Sequence, residues 1–381
     1  MKKLRVLSVF GTRPEAIKMC PLVLELSVRP EFESLLCVTA QHREMLDGVL
    51  ENFGVTPDYD LDIMEKSQTV SGITAKVLNQ LGPVLREAFP DIVLVHGDTT
   101  TTFAAALSAF YEKIPVGHVE AGLRTYDRYS PYPEEMNRCL TGRLAEYHFA
   151  PTMQNRKNLE REAVTGRIFV TGNTVIDAMK YTVSGADFTE PVLGDLDFAH
   201  RRVITLTCHR RENYGEPMEN IFSAVAELAR CFPDTLTVYP VHLSPVVREC
   251  ARRNLGEIEN VLLVEPLDAF DMHKLMSRSY LVLTDSGGIQ EEAPALGKPV
   301  LVLRRETERP EAVAAGTVRL AGTEKENIVA LATQLLTDQA QYQAMAHAVN
   351  PYGDGQACRR IAGALLYGFG LAAEPPEEFC P

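Results

Sequence analysis

Short apolar runs alternate with longer amphipathic segments along the whole chain. In the first half the runs LRVLSVF, SLLCVTA, DIVLVHG, PVGHVEA, EYHFA and RIFVTG predict strands. In the second half RVITLTCH, TLTVYPVH, VLLVEP, YLVLTDS, PVLVL and TVRLAG do the same. DIVLV and YLVL are apolar without alternation, the pattern of strands covered on both faces in a parallel sheet. Strand-then-helix alternation of this kind predicts an α/β fold. The rhythm breaks over 177–202, where VSGADFTEPVLGDLDFAHRR mixes Gly, Pro and acids, so a linker is expected there. Two doubly wound domains follow, 1–176 and 203–355, with a helix over about 356–370 expected to pack back on the first. The acidic, Pro-containing end AAEPPEEFCP is expected to be loose.

The chain has 381 residues, enough for two domains that each bury a core. Its formal net charge of -13 argues against a nucleic-acid surface and a polybasic membrane patch. A local arginine cluster around an anionic ligand is compatible with that charge. No run is long and apolar enough to span a bilayer. The start MKKLRVLSVFGTRPEA puts lysines before an apolar run, yet the run is short and lacks a small-residue cleavage site. It reads as a first strand, and the chain as cytoplasmic. The 8 cysteines show no CxxC pair or metal-ligand spacing, so reduced core residues are expected.

In a doubly wound sheet, ligands bind beyond the carboxyl ends of the strands. FGTRPEAIKM offers Gly11 and Thr12 for a tight turn, Pro14 for a helix start, Arg13 at that start and Lys18 about one turn further. A capped helix with solvated basic residues explains the same letters. VHGDTTTT places Asp98 where a strand stops, before more hydroxyls than one cap needs. HVEAGLRT ends an apolar run on Glu120, a carboxylate that is costly to bury without a partner. YSPYPEEMNR sets Glu134, Glu135 and Arg138 at a helix start, where acids are favoured for electrostatic reasons alone. TCHRRENYG places His209, Arg210 and Arg211 after a strand, while His118 and His242 read as structural or supporting. No HxxxH or HExxH spacing occurs, so neither a metal nor a cofactor is expected.

The stretch TDSGGIQEEAPALGKPV raises the sharpest question. Ser286, Gly287 and Gly288 follow an apolar strand and open a helix that Gly297 and Pro299 close. Glycines let a backbone approach a phosphate, and first-turn N–H groups bind it. Glu292 lies one to two turns on, placed to accept from ribose hydroxyls. Together these predict a nucleoside-diphosphate site without a Walker lysine or GxGxxG. RRETERPEA adds Arg309 in a second anion-friendly loop.

FGTRPEAIKM, TAQHREML, VHGDTTTT, HVEAGLRT, GNTVIDA, TDSGGIQEEAP, TERPEA and NPYGDGQA, in that order, resemble the bacterial non-hydrolysing UDP-N-acetylglucosamine 2-epimerases. The resemblance spans about Leu4 to the 360s. It implies two Rossmann-like domains of the glycosyltransferase-B-like kind, an active site in the interdomain cleft, and a homodimer. It also implies interconversion of UDP-GlcNAc and UDP-ManNAc for envelope polysaccharide, by elimination of UDP to 2-acetamidoglucal and re-addition.

Residue by residue, the resemblance implies that Ser286, Gly287 and Gly288 hold the diphosphate with Arg13 and His209 nearby, His209 as a catalytic group that stabilises the phosphate. Glu292 is implied on the ribose, Lys18 and Arg309 around the substrate, and Asp98, Glu120 and Glu134 as catalytic carboxylates. Near the uracil, Leu267 and Met272 stand where relatives carry Gln and an aromatic. An activator site for a second UDP-GlcNAc is implied through Gln41, His42, Glu134, Arg210 and His242, with Ser67 replacing an Arg and Glu44 a Gln. A hydrolysing epimerase, a glycosyltransferase of the same fold and an inert nucleotide-sugar sensor are the competing readings.

Overall fold

Among the described residues, twelve strands form where the apolar runs predict them, and one short strand joins them. The computed structural model describes residues 3–40, 43–65, 69–185 and 187–381, apart from the side chains of residues 44 and 45. The first sheet contains β1 (Leu4–Phe10), β2 (Phe32–Val38), β3 (Tyr59–Asp60), β4 (Ile92–His96), β5 (Val116–Val119), β6 (Tyr147–Ala150) and β7 (Arg167–Val170). Its order is β3-β2-β1-β4-β5-β6-β7, parallel throughout. The second contains β8 (Arg202–Thr207), β9 (Thr235–Pro240), β10 (Val261–Val264), β11 (Leu281–Thr284), β12 (Val300–Val302) and β13 (Val318–Leu320). Its order is β10-β9-β8-β11-β12-β13, again parallel. Both are doubly wound Rossmann-like sheets. Only β3 was absent from the apolar pattern: at two residues, Tyr59 and Asp60, it is too short to show one.

The unbroken apolar runs are buried on both faces, as helices on either side of a parallel sheet require. Ile92, Val93, Leu94 and Val95 are each 0% exposed. The helix Thr100–Tyr111 presses Ala104, Ala105, Ala106 and Ala109 into a cluster with Leu7, Val9, Val93, Val95 and residues of the helix Val70–Ala88. Small alanines let these helices approach closely. In the second unit Leu206, Phe222, Tyr239, Leu281, Leu283, Leu301 and Ile328 belong to the main core.

The chain divides inside the helix Thr174–Thr182, with Met1–Ala178 and Tyr352–Cys380 in one unit and Met179–Pro351 in the other. The expected linker over 177–202 falls mostly within the second unit, which begins at Met179. Asp177 accepts from the backbone N–H of Ala357 (3.0 Å) and Cys358 (2.9 Å), capping the helix Ala357–Gly368 within the first unit. Thr189 and Glu190 donate backbone N–H to the Asp271 carboxylate at 2.9 and 2.7 Å, and Leu193 is buried with Val203 and Leu236. Most of the segment therefore covers the second sheet. Gly, Pro and acids hide this because only a few of its positions face inward.

The end of the chain is also corrected from loose to docked. Phe379 is buried and donates its N–H to the Val170 carbonyl at 2.8 Å, while Glu378 pairs with Arg156 at 2.7 Å. Among the cysteines, 20, 37, 208, 250 and 358 are buried as expected of core residues, but Cys231 and Cys380 are exposed and Cys139 is half-buried.

Three histidines of the first unit, His96, His118 and His148, are buried. Burial pushes them down to about 4, about 3 and about 4 respectively, so they fold neutral. The unfolded chain protonates them near pH 6.5. Their contribution is intact above that pH and is lost progressively as pH falls toward the folded values. Each adds a slope of about 1.4 kcal/mol per pH unit between about pH 6 and 4. Urea denaturation between pH 7 and 5 is therefore expected to lose stability steeply. His148→Phe should remove about a third of the three-histidine slope, and an unchanged slope would refute the assignment.

Candidate active site

Each sheet reverses its strand order once, between β1 and β4 in the first and between β8 and β11 in the second. Loops at such a reversal splay apart and open a crevice. GTRPE and GDTTTT leave the first pair of strands, and HRREN and DSGG leave the second pair.

In the first unit, Thr12 caps the helix Arg13–Ser27 and Glu15 completes the capping box. Glu15 is 2% exposed; its carboxylate accepts from the N–H of Gly11 (3.1 Å) and Thr12 (2.8 Å) and from the hydroxyls of Thr99 (2.7 Å) and Thr102 (3.1 Å). Thr101 meets Thr39 at 3.1 Å. The surplus hydroxyls of the Thr run thus join the β1 and β4 loops internally. Gly11 is required in that junction, since a Cβ there would lie 1.9 Å from Thr39 Oγ1.

Glu120 follows β5 with a left-handed φ of 60°, which aims its side chain at a sparsely populated backbone angle. Its Oε2 is paired with Lys18 Nζ, accepts Asn173 Nδ2 at 3.1 Å and lies 3.7 Å from His96 Nε2. The cost of burying this carboxylate is met by a cation and an amide. Asp98 pairs with Arg138, and its carbonyl accepts Asn137 Nδ2 at 2.9 Å. Arg138 also reaches Glu135 at 3.3 Å. Glu135, 2% exposed, accepts the N–H groups of Thr125 (3.1 Å) and Tyr126 (2.9 Å), so it anchors the loop before its helix. Glu134 differs: its Oε2 is buried with no hydrogen-bond partner among the described residues. Arg13 stands half-buried at the first helical position. His118 has the structural place expected of it, its Nε2 2.7 Å from the Gly97 carbonyl.

In the second unit, Asp285 is 0% exposed and accepts four contacts. They come from the backbone N–H of His209 and Arg210 (2.8 Å each), from Asn213 Nδ2 (3.1 Å) and from His209 Nδ1 (2.8 Å). Burial pushes the acid up, but the His209 bond and the backbone donors hold it below its ordinary value. With Nδ1 engaged, His209 offers Nε2 to a ligand. The exposed His242 lies beside it, ring centroids 5.6 Å apart, with Nδ1 accepting the Ser244 N–H at 3.1 Å.

Ser286, Gly287 and Gly288 precede the helix Ile289–Ala295. Arg210 Nη2 and Glu308 Oε2 flank Gly287, 3.6 and 3.5 Å from where a Cβ would stand. Gln290 donates to the Ser286 carbonyl at 3.1 Å and accepts from Thr307 at 2.5 Å, which ties this turn to the RRETERPEA loop. Arg309 of that loop is ion-paired with the buried Glu291. Glu292 Oε2 sits 3.4 Å from His273 Nε2, and His273 Nδ1 lies 2.8 Å from the Thr182 hydroxyl. The two carboxylates of QEE therefore separate, one fixing Arg309 and the other held by a histidine. Met272 is half-buried, whereas Leu267 packs against the Leu193–Val203–Leu236 cluster, so its side chain serves the core.

Of the activator set, Gln41, His42 and the replacement Ser67 lie outside the described residues, as does the side chain of Glu44. Arg138, Asn173, Asp285 and His273 carry no role in the sequence reading. Arg138 had a signal in its i+3 and i+4 spacing from Glu135 and Glu134. Asn173 stands in the GNTVIDA motif but nothing there joins it to Glu120, and His273 had no signal, because their partners Glu120 and Thr182 are remote in sequence. Among the described residues no group of three or more His, Cys, Asp or Glu could hold a metal ion, and no helix is long and apolar enough to cross a membrane.

Two doubly wound sheets, each with charged groups on the segments that follow its strands, define a protein of the Rossmann-like α/β class. The family model described as UDP-N-acetylglucosamine 2-epimerase matches residues 24–366. The UDP-N-acetylglucosamine 2-epimerase of Bacillus subtilis is 57% identical over 380 residues, covering 100% of this chain and 99% of the relative. That of Escherichia coli K12 is 56% identical over 369 residues, covering 95% and 98%. The crystal structure of the Neisseria meningitidis UDP-GlcNAc 2-epimerase bound to UDP-GlcNAc superposes with a TM-score of 0.84 at 51% identity, over 95% of this chain and 100% of that one. The chain belongs to the UDP-N-acetylglucosamine 2-epimerase family, a family of isomerases.

Proposed function

We propose that this chain catalyses the reversible, non-hydrolysing C2 epimerisation of UDP-GlcNAc to UDP-ManNAc. The observation that carries the reading is the acid–base set of the first unit. It comprises Glu120 with Lys18 and Asn173, Asp98 with Arg138, and Glu134 with its unpartnered buried oxygen. The Neisseria meningitidis relative bound to UDP-GlcNAc supports the substrate.

No carbonyl acidifies the C2 proton of the sugar, so its direct removal is unfavourable. Elimination relieves this: the C2 proton passes to a carboxylate, the C1–O bond breaks, and the electron pair leaves with UDP. The product is 2-acetamidoglucal. Return of a proton on the opposite face, with re-addition of UDP at C1, inverts C2. Acids able to serve both faces are needed, and Asp98, Glu120 and Glu134 share that work.

Cationic and N–H groups stabilise the departing diphosphate. Ser286, Gly287 and Gly288 receive it, with Arg13 and His209 beside it and Lys18 and Arg309 lining the substrate. Glu292, supported by His273, accepts from the ribose. Met272 meets the uracil, and Leu267 contributes only its backbone. Arg210 and His242, beside Gly287 and His209, are two of the described residues assigned to an activator site for a second UDP-GlcNAc. The same reading makes the enzyme a cytoplasmic homodimer supplying ManNAc units for envelope polysaccharide, supported by the family membership.

Proton NMR with UDP-GlcNAc in D2O and no acceptor tests the reading. UDP-ManNAc is expected, with deuterium at C2. Free ManNAc plus UDP would make the chain a hydrolysing enzyme, and UDP binding with no turnover would overturn the epimerase reading.

A further inference from the structure

The first unit buries one imidazole beside the acid–base set that its own contacts leave unsatisfied. His96 ends β4 and is 3% exposed, and its Nε2 has no hydrogen-bond partner among the described residues. Glu120 Oε2 lies 3.7 Å away, roughly 0.7 Å beyond an ordinary N–H···O bond. An aliphatic side chain would suit a buried strand end better, because an unsatisfied buried polar atom is costly. His96 is also locally fixed, since its carbonyl accepts the Thr102 hydroxyl at 2.5 Å.

The groups facing this imidazole come from three elements. They are Lys18 from the helix Arg13–Ser27, Asp98 and Glu120 from the loops after β4 and β5, and His118 from β5. Burial dominates and Lys18 adds to it, against Glu120 and Asp98, so the ring stays neutral at neutral pH. A neutral ring donates one N–H without placing a second positive charge beside Lys18.

We propose that His96 is a positioning residue for the epimerisation, its Nε2–H closing on the Glu120 carboxylate and fixing that group's orientation and charge as the C2 proton is transferred. The inference rests on the assignment of Glu120 to proton transfer. It assigns a purpose to a buried polar atom that has no hydrogen-bond partner among the described residues.

The test compares His96→Leu and His96→Gln in the full chain, with Glu120→Gln alongside and melting curves as the control for folding. Leu removes the donor and leaves an apolar core, so the melting temperature is expected to hold or rise. Its kcat should fall about 10- to 100-fold, the worth of one hydrogen bond to a charged group, with KM within about twofold. The acidic limb of the kcat/KM profile should move up by about one pH unit, because the ionised carboxylate loses a donor. Gln, whose amide nitrogen reaches the position of Nε2, should recover most of the rate. A folded His96→Leu with unchanged rate and pH profile, beside an inactive Glu120→Gln, overturns the proposal alone. His96→Gln as impaired as His96→Leu also overturns it. A fully active Glu120→Gln removes the assignment on which it stands.

Discussion

Replacing Asp98 with Asn is expected to lower turnover by about 10²- to 10⁴-fold, the usual worth of a positioned acid–base group. The substitution preserves shape, so Asn137 keeps its bond to the residue 98 carbonyl. What changes is charge and proton affinity. The ion pair with Arg138 is lost, and the proton transfer with C2 proposed for this side chain is removed. UDP affinity should stay within about threefold, because the groups proposed to hold the diphosphate remain. Deuterium incorporation at C2 provides the more direct reading: it should fall in step with turnover. Glu134→Gln, measured singly and combined with Asp98→Asn, asks whether the carboxylates act as a unit. If they do, the double variant is little worse than the poorer single one. Asp98→Asn with parental turnover and an unchanged melting temperature would remove Asp98 from the mechanism.

Asp285→Asn is expected to damage stability and catalysis together. The native carboxylate accepts two backbone N–H groups, the Asn213 amide and His209 Nδ1 while fully buried. An amide has one acceptor oxygen and turns its own N–H groups toward those donors. Breaking a buried charged network in this way costs on the order of 3–5 kcal/mol. Urea denaturation measures that loss directly. The catalytic loss has a separate cause: His209 no longer has an anion to hold its Nδ1 proton and orient its ring. A fall in kcat of about 10²-fold or more is expected, since loss of the orienting acid costs about 10⁴-fold in the serine-protease triad. A destabilised variant with full turnover would confine Asp285 to packing and withdraw His209 from the diphosphate. Unchanged stability would mean that the network is dispensable to the fold.

Most of the architecture was legible because it rests on a short-range signal. Runs such as DIVLV and YLVL are too apolar to sit anywhere but inside a sheet covered on both faces, and the segments between them have helical length. β3 was not legible because Tyr59 and Asp60 form a strand only through register with Cys37 and Val38. The segment over 177–202 and the final ten residues were misread for a common reason. Composition reports average polarity, whereas docking depends on a few contacts, such as Thr189 and Glu190 on Asp271, or Phe379 against Val170.

The candidate site divides the same way. Arg13, Asp98, Glu120, His209, Ser286 and Gly288 stand at or just beyond strand ends, where the α/β pattern alone directs attention, while Lys18, Glu134, Glu292 and Arg309 lie further along the loops and helices that follow. Their relations to one another depend on side chains brought together from 40 to over 100 positions apart, as with Arg138 on Asp98 and Lys18 on Glu120. Thr99 and Thr102 illustrate the difference, since hydroxyls that looked available for a ligand are taken up by Glu15.

The sequence by itself determined the fold class, the family and the candidate site residues, because hydrophobic period, turn chemistry and ordered motifs are properties of neighbouring positions. Tertiary structure alone decided which carboxylates are paired, which atoms stay unsatisfied and which histidines are neutral. Charge state and hydrogen bonding are set by burial and by partners remote in the chain. Glu120, His96 and Asp285 acquire their distinct environments only when the strand ends come together.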